Sequence, residues 1–415
     1  EIRIGDWSSD VCSSDLIIHG DVAFMILATT LVLIMTPGLA FFYGGLVERK
    51  NALTIMFQVF IAIGIVALLW IFGGFSLVFG DDIGGVIGNP LQFFAFNNIT
   101  FKIDLRYSET IPFILFFMYQ MMFAIITAPL MIGAFANRLT VSGWIKILII
   151  WMILIYFPVA HWVWGGGFLS KLGFVDFAGG AVIHITSGFG CLGGIYVLGE
   201  RKVKNEKGPF NLGLVAIGAA LLLFGWYGFN AGGTVAAADI AAIVFTNTGV
   251  ASATGMIVWL ILHALISKRA SFLESIIGAV AGLATITPAS GYVTPLSAII
   301  IGALGAIVCF FSVEFERKMW DDALDVWGVH GVGGLLGTLL IGVFADPRVN
   351  GISAGLHQFL IQLLGAGIIV VYSVLVTFII FKVLDMIKTI KVSEEVQLKG
   401  LDQEFFKENY EAKNE

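Results

Sequence analysis

The chain has 415 residues, 58% hydrophobic and only 13% charged, with a mean hydropathy of +0.94 and a formal net charge of −6. An ordinary soluble domain carries about 25% charged residues, and a chain this apolar could not cover its own surface in water. Soluble enzymes, nucleic-acid binders and disordered scaffolds are thereby excluded. The apolar residues run on for bilayer-crossing lengths rather than alternating in ten-residue stretches, so the expected fold is an all-α polytopic membrane protein.

Residues 1–16, EIRIGDWSSDVCSSDL, repeat Ser-Ser-Asp at 8–10 and 13–15. They have neither the basic start nor the apolar core of a signal peptide. The segment reads as foreign to the native chain, and Trp7 and Cys12 are given no role. Eleven apolar runs follow, at about 21–46, 52–79, 111–136, 144–163, 177–199, 210–231, 239–265, 272–288, 294–315, 325–345 and 353–388. The eighth is the shortest. Cys191 and Cys309 lie inside such runs and act as small hydrophobes. Residues 17–390 form one membrane domain, and 391–415 a polar tail.

Basic residues set the orientation. With the N-terminus outside, the inner loops and tail hold 18 of the 23 Lys and Arg, leaving Arg3, Lys102, Arg106, Lys171 and Arg348 outside. That is the asymmetry of the positive-inside rule. An even number of spans would destroy it, so the expected topology is eleven helices, N-terminus out and C-terminus in.

Ionisable groups inside spans are costly and mark pathways. His184 lies in the fifth run, in DFAGGAVIHITSG, and His330 in the tenth, in DVWGVHGVGG. Runs five and ten correspond if the chain is two inverted five-helix repeats plus an eleventh long helix, which brings both histidines to the repeat interface. A neutral imidazole both donates and accepts, so the pair can share a proton and bond a small polar solute. The competing reading is two core histidines bonded to backbone carbonyls. Asp176 precedes the fifth run as a helix cap that also adds negative potential at the outer mouth. Asp325, five residues before His330, reads as structural. His161 falls at the outer end of the fourth run, at headgroup level, and His263 and His357 read as interface or structural residues.

Aromatics form a second group: Tyr119 and Phe123 one turn apart, Trp164 before a triple Gly, and Trp226 and Phe229 three apart. They suit either an interfacial belt or a small cation held by cation–π attraction, worth about 2 kcal/mol when desolvated. The spans hold neither a metal-ligand cluster nor a nucleophile–base pair, so neither a metal, a cofactor nor enzyme chemistry is expected.

GLAFFYGGLVERKN (38–51), YQMMFAI (119–125), HWVWGGG (161–167), DFAGGAVIHI (176–185), GWYGFNAGG (225–233), TPASGY (287–292) and DVWGVHGVGG (325–334), in this order, resemble the Amt branch of the Amt/Mep/Rh ammonium transporters. The resemblance implies a homotrimer in the cytoplasmic membrane, serving nitrogen uptake with one pore per subunit. It implies an outer ammonium site at Trp164 and Phe123 with Tyr119 and Asp176 nearby, a phenyl gate of Phe123 and Phe229, and a pore lined by His184, His330 and Trp226. Two departures stand out. Gly233 occupies the place of a serine hydroxyl at the outer site. Gly400-Leu401-Asp402 is kept, but Phe406-Lys407-Glu408 replaces the tail motif associated with docking of a PII-type regulatory protein. The expected mechanism is deprotonation of ammonium at the aromatic site, then passage of ammonia, since an apolar pore penalises an ion that stays charged. The alternative is an ammonium sensor with little transport, signalling through its tail.

Overall fold

The computed structural model describes residues 17–203 and 208–410. The segment 1–16 and the expected cytoplasmic lysines Lys204, Lys207 and Lys413 therefore lie outside the described residues. In chain order the helices are α1 His19–Leu46, α2 Arg49–Phe79, α3 Phe113–Gly133, α4 Val141–Lys171, α5 Gly180–Leu198 and α6 Leu212–Thr234. Then come α7 Asp239–Ser267, α8 Phe272–Ile286, α9 Pro295–Met319, α10 Trp327–Phe344 and α11 Leu356–Ile387. All but α8 are long and apolar enough to cross a membrane, ten among the described residues. The 15 residues of α8 give only about 22 Å of helix, against about 30 Å of hydrocarbon. The one large departure from the expected ends is at α4, which passes a turn at 164–167 and continues to Lys171.

Local chemistry sets the helix starts. The side chains of Thr140, Asn211, Ser271 and Thr294 each accept a backbone N–H of the first turn of α4, α6, α8 and α9. In α8, Ser271 and Glu274 have capping-box spacing. In α9, Pro295 fills the first helical position, where its missing N–H costs nothing.

Two crossings position the site, and small residues make both. Along α6, a Cβ on Gly218, Gly225 or Gly228 would strike the backbone or side chains of α1. Where α5 meets α10, a Cβ on Gly188 would fall on the Gly331 backbone, and one on Gly334 would meet Gly180 O and, at 2.8 Å, His184 Cβ. Close backbone approach of this kind is how membrane helices associate without a hydrophobic drive between them. A two-residue antiparallel hairpin, β1 Asp82–Ile83 with β2 Ile87–Gly88, follows α2 at one end of the bundle.

At the opposite end the tail docks against the loops. Thr140 N donates to Ile390 O (2.9 Å) and Val392 N to Arg138 O (2.9 Å). Two short helices follow, α12 Glu394–Lys399 and α13 Leu401–Phe405. Gly400 between them has φ +107°, a conformation glycine adopts without strain. Asp402 then accepts Leu53 N (3.0 Å), Thr54 N (2.8 Å) and the Thr54 hydroxyl (2.7 Å). A tail residue thus caps a long helix of the bundle.

Candidate functional site

Three cavities lie in series. The first is about 380 Å³, and its lining includes Tyr119, Gln120, Phe123, Trp164, Asp176, Phe177, Gly233 and Tyr292. The Trp164 ring meets Phe123 edge-on (centroids 6.1 Å, 79°), and Tyr119 meets Phe123 likewise (4.9 Å, 74°). Both polar handles are already used: Trp164 Nε1 donates to Asp176 O (2.9 Å), and the Tyr119 hydroxyl donates to Phe229 O (2.9 Å). From Trp164 and Tyr119, what is left to face the cavity is ring surface. Phe123 of this cavity and Phe229 of the next lie 4.5 Å apart, centroid to centroid.

That chamber is about 20 Å³ and otherwise apolar, with His184, Trp226, Phe229 and His330 in its wall. Since one water needs about 10–15 Å³ by this measure, it admits small solutes in single file. The imidazoles of His184 and His330 are stacked at 5.1 Å and 20°, and Trp226 lies 5.4 Å from His184. Trp226 is fixed by its Nε1–H bond to Thr287 Oγ1 (2.8 Å). Both ring nitrogens of His184, and Nδ1 of His330, are buried without a hydrogen-bond partner among the described residues. Such groups are costly unless a solute or water satisfies them. The reading of two core histidines bonded to backbone carbonyls does not describe this geometry. The third cavity, about 290 Å³, also touches His330 and opens past Tyr43, Asn137, Arg201, Glu274, Arg317 and Asp325.

Backbone geometry aims the histidines. Each sits in a π turn opening its helix, Gly180–Ile185 in α5 and Trp327–Gly331 at the start of α10. Ahead of the first turn, the Asp176 carboxylate accepts four amides: Gly179 (2.9 Å) and Gly180 (2.8 Å) on Oδ1, Ala181 (2.8 Å) and Val182 (3.0 Å) on Oδ2. With its oxygens so occupied and only 3% exposed, the Asp176 carboxylate caps the turn that carries His184.

The counterpart of Asp176 is Asp322, not Asp325: it too lies eight residues before its histidine, and its Oδ2 accepts Trp327 N (2.7 Å). Burial pushes the Asp322 carboxyl up to about 6. Asp325 instead pairs with Arg317 (2.7 Å), in keeping with the structural role expected of it. Equal spacing to the two histidines was the signal for Asp322. His161, at the end of α4, is fully buried within the protein. Phe177 and Tyr292, which line the outer cavity, lie in two of the matched motifs but were given no role there. Of the other histidines, His263 faces Glu274 at 4.0 Å and His357 is exposed.

The sequence model of the Ammonium Transporter Family matches residues 23–410. Ammonium transporter Amt1 of Archaeoglobus fulgidus is 43% identical over 392 residues, covering 92% of this chain and 97% of its own. The crystal structure of Candida albicans Mep2 superposes with a TM-score of 0.86 at 35% identity, over 93% of this chain and 89% of that one. A structure titled Sensor Amt Protein also superposes with a TM-score of 0.86, at 30% identity, over 94% of this chain and 98% of its own.

Proposed function

The chain belongs to the ammonium transporter family, and we propose that it carries ammonium across the cytoplasmic membrane through the three cavities described above. Ammonium binds in the outer cavity against the rings of Trp164, Phe123 and Tyr119, at a mouth built by Asp176, and gives its proton to solvent water on that side. Ammonia passes between Phe123 and Phe229, moves along His184, Trp226 and His330, and regains a proton in the inner cavity.

The observation that carries this reading is the stacked histidine pair with unpartnered nitrogens in an apolar chamber of about 20 Å³. A bare cation there would lose its hydration without a counter-charge, which costs several kcal/mol or more. A neutral molecule that donates and accepts hydrogen bonds meets three free ring nitrogens instead. The test is methylammonium uptake into proteoliposomes with simultaneous current recording. Replacing both His184 and His330 by Leu should abolish selective flux; unchanged flux removes them from the pathway.

The same reading takes α1 to α11 as eleven spans, N-terminus out, with a cytoplasmic tail. Contact of α1 with α6 and of α5 with α10 supports two five-helix repeats, since equivalent helices meet at an internal two-fold. In favour of the orientation, the tail packs on the end that carries Lys50 and Arg138. The assembly is taken as a homotrimer in lipid, with any PII-type partner docking on this tail. A second reading, an ammonium sensor, has in its favour the likeness to a protein named as one. Robust flux in proteoliposomes rejects a pure sensor.

A further inference from the structure

Two charged side chains line the outer cavity, and the transport reading uses only one of them. Asp176 spreads its charge over four amides. The other is Arg106, from the loop between β2 and α3. A guanidinium does not deprotonate in proteins. A fixed positive charge therefore stands in the wall of a cavity whose rings suit a cation.

That charge is held in place from three sides. Asp104 grips the guanidinium with both oxygens, Nε on Oδ1 (3.0 Å) and Nη2 on Oδ2 (2.6 Å). Nη1 reaches Asp81 Oδ1 (3.3 Å), and Asp81 is itself held by Gln92 Nε2 (3.1 Å). The flat face lies over rings, with Cζ 5.2 Å from the Tyr107 centroid and 5.8 Å from that of Phe93. Tyr107 gives a firm floor, stacked on Phe113 (4.9 Å, 8°) and donating its hydroxyl to the Phe79 carbonyl. A bidentate fork and a stacked face fix where a guanidinium sits. Half of the Arg106 side chain remains exposed, and ion pairs so exposed add little to stability. Their field at the cavity is another matter, because two carboxylates are set against one guanidinium at its wall.

We infer that Arg106 sets the affinity of the outer cavity for its cation, its charge offsetting Asp81 and Asp104 so that the rings bind more weakly than they would beside the carboxylates alone. The inference rests on the reading of the outer cavity as the ammonium site. Removing Arg106 leaves two carboxylates unopposed, which draws a cation in. Removing Asp104 leaves Arg106 less compensated, which holds a cation off. Both effects fade with salt, since the screening length falls from about 30 Å at 0.01 M to about 3 Å at 1 M.

Methylammonium uptake is measured in proteoliposomes at about 0.01 M and about 1 M ionic strength, with equal salt on both sides. The proteins are the wild type, Arg106→Gln, Arg106→Lys and Asp104→Asn. At low salt, Arg106→Gln should lower the KM about threefold and Asp104→Asn should raise it about threefold, with Vmax little changed. Arg106→Lys, which keeps the charge, should stay near the wild type, and at high salt all four should converge. A KM that Arg106→Gln leaves unchanged or raises overturns the inference. So does a change equal at both salts, which is what a merely structural loop residue would give. If Arg106→Gln does not fold, the direction at Asp104→Asn decides. Absence of wild-type uptake would sink the transport reading instead. Titration calorimetry of methylammonium binding to the same proteins in detergent then decides: the same order of affinities upholds the role of Arg106, and any other result overturns it.

Discussion

Asp176→Asn separates a carboxylate that builds the pore from one that binds its cargo. The two Asp176 oxygens hold Gly179 and Gly180 on one side and Ala181 and Val182 on the other. An asparagine of the same shape keeps one oxygen and turns an NH₂ towards the other pair, leaving two buried amides without an acceptor. Each costs about 1–3 kcal/mol, so opening of the His184 turn becomes easier by about 2–6 kcal/mol. At about tenfold per 1.4 kcal/mol, that is roughly 30-fold to more than 10⁴-fold. Hydrogen exchange with mass spectrometry on a peptide covering 179–185, in detergent or nanodiscs, reads this directly. Protection should collapse in that peptide, while a peptide from α7, remote from the turn, changes little. If protection at 179–185 is unchanged while methylammonium uptake is lost, the capping argument is wrong and the charge of Asp176 acts on the solute itself.

Three further outcomes are expected. Gly233→Ser puts a hydroxyl into the outer cavity, with its Cβ 3.1 Å from Phe177 Cε1; a hydrogen bond to a charged partner at about 1.5 kcal/mol should lower the methylammonium KM by about tenfold, and an unchanged or higher KM counts against that placement. Gly188→Ala forces α5 off the Gly331 backbone and should lower the melting temperature markedly or prevent folding, whereas Gly64→Ala, where a Cβ meets open space, should leave it unchanged; equal effects refute the packing argument. Asp322 has a folded-state pKa raised to about 6, so it contributes stability below its ordinary value near 4 that is lost as pH rises through about 6. The melting temperature of Asp322→Asn relative to wild type should therefore climb between about pH 4 and about pH 6, and a constant difference over that interval refutes it.

The parts of this molecule legible in the sequence are those fixed by one-dimensional pattern. Apolar runs give the helices because lipid leaves the backbone no other way to satisfy its hydrogen bonds. His184 and His330 stand out because imidazoles are rare in such runs. Side-chain occupancy, by contrast, depends on neighbours far away in the chain. Asp176 is consumed by its own turn, but Tyr119 spends its hydroxyl on Phe229, 110 residues on. His161 reads as interfacial from its position near a helix end, and is buried because a hairpin from 79 residues earlier folds over it. Asp322 was overshadowed by Asp325, which stands nearer to His330; only the π turn shows which of them faces the helix start.

Those π turns bear on how the pathway can change by mutation. Each carries one residue more per turn than an α-helix, as the bond from His184 N to Gly179 O, five residues back, displays. Deleting a single residue from Gly180–Ile185 would let the turn relax to regular pitch with the helix beyond it still in register, because the residue removed is the one the π turn accommodates. His184, which sits inside the turn, would lose the direction that the wider turn gives it towards His330, although every side chain with a role remained present. Length within these two short stretches is therefore as much a part of the site as composition, and a one-residue indel there should be more damaging than most substitutions along the pore.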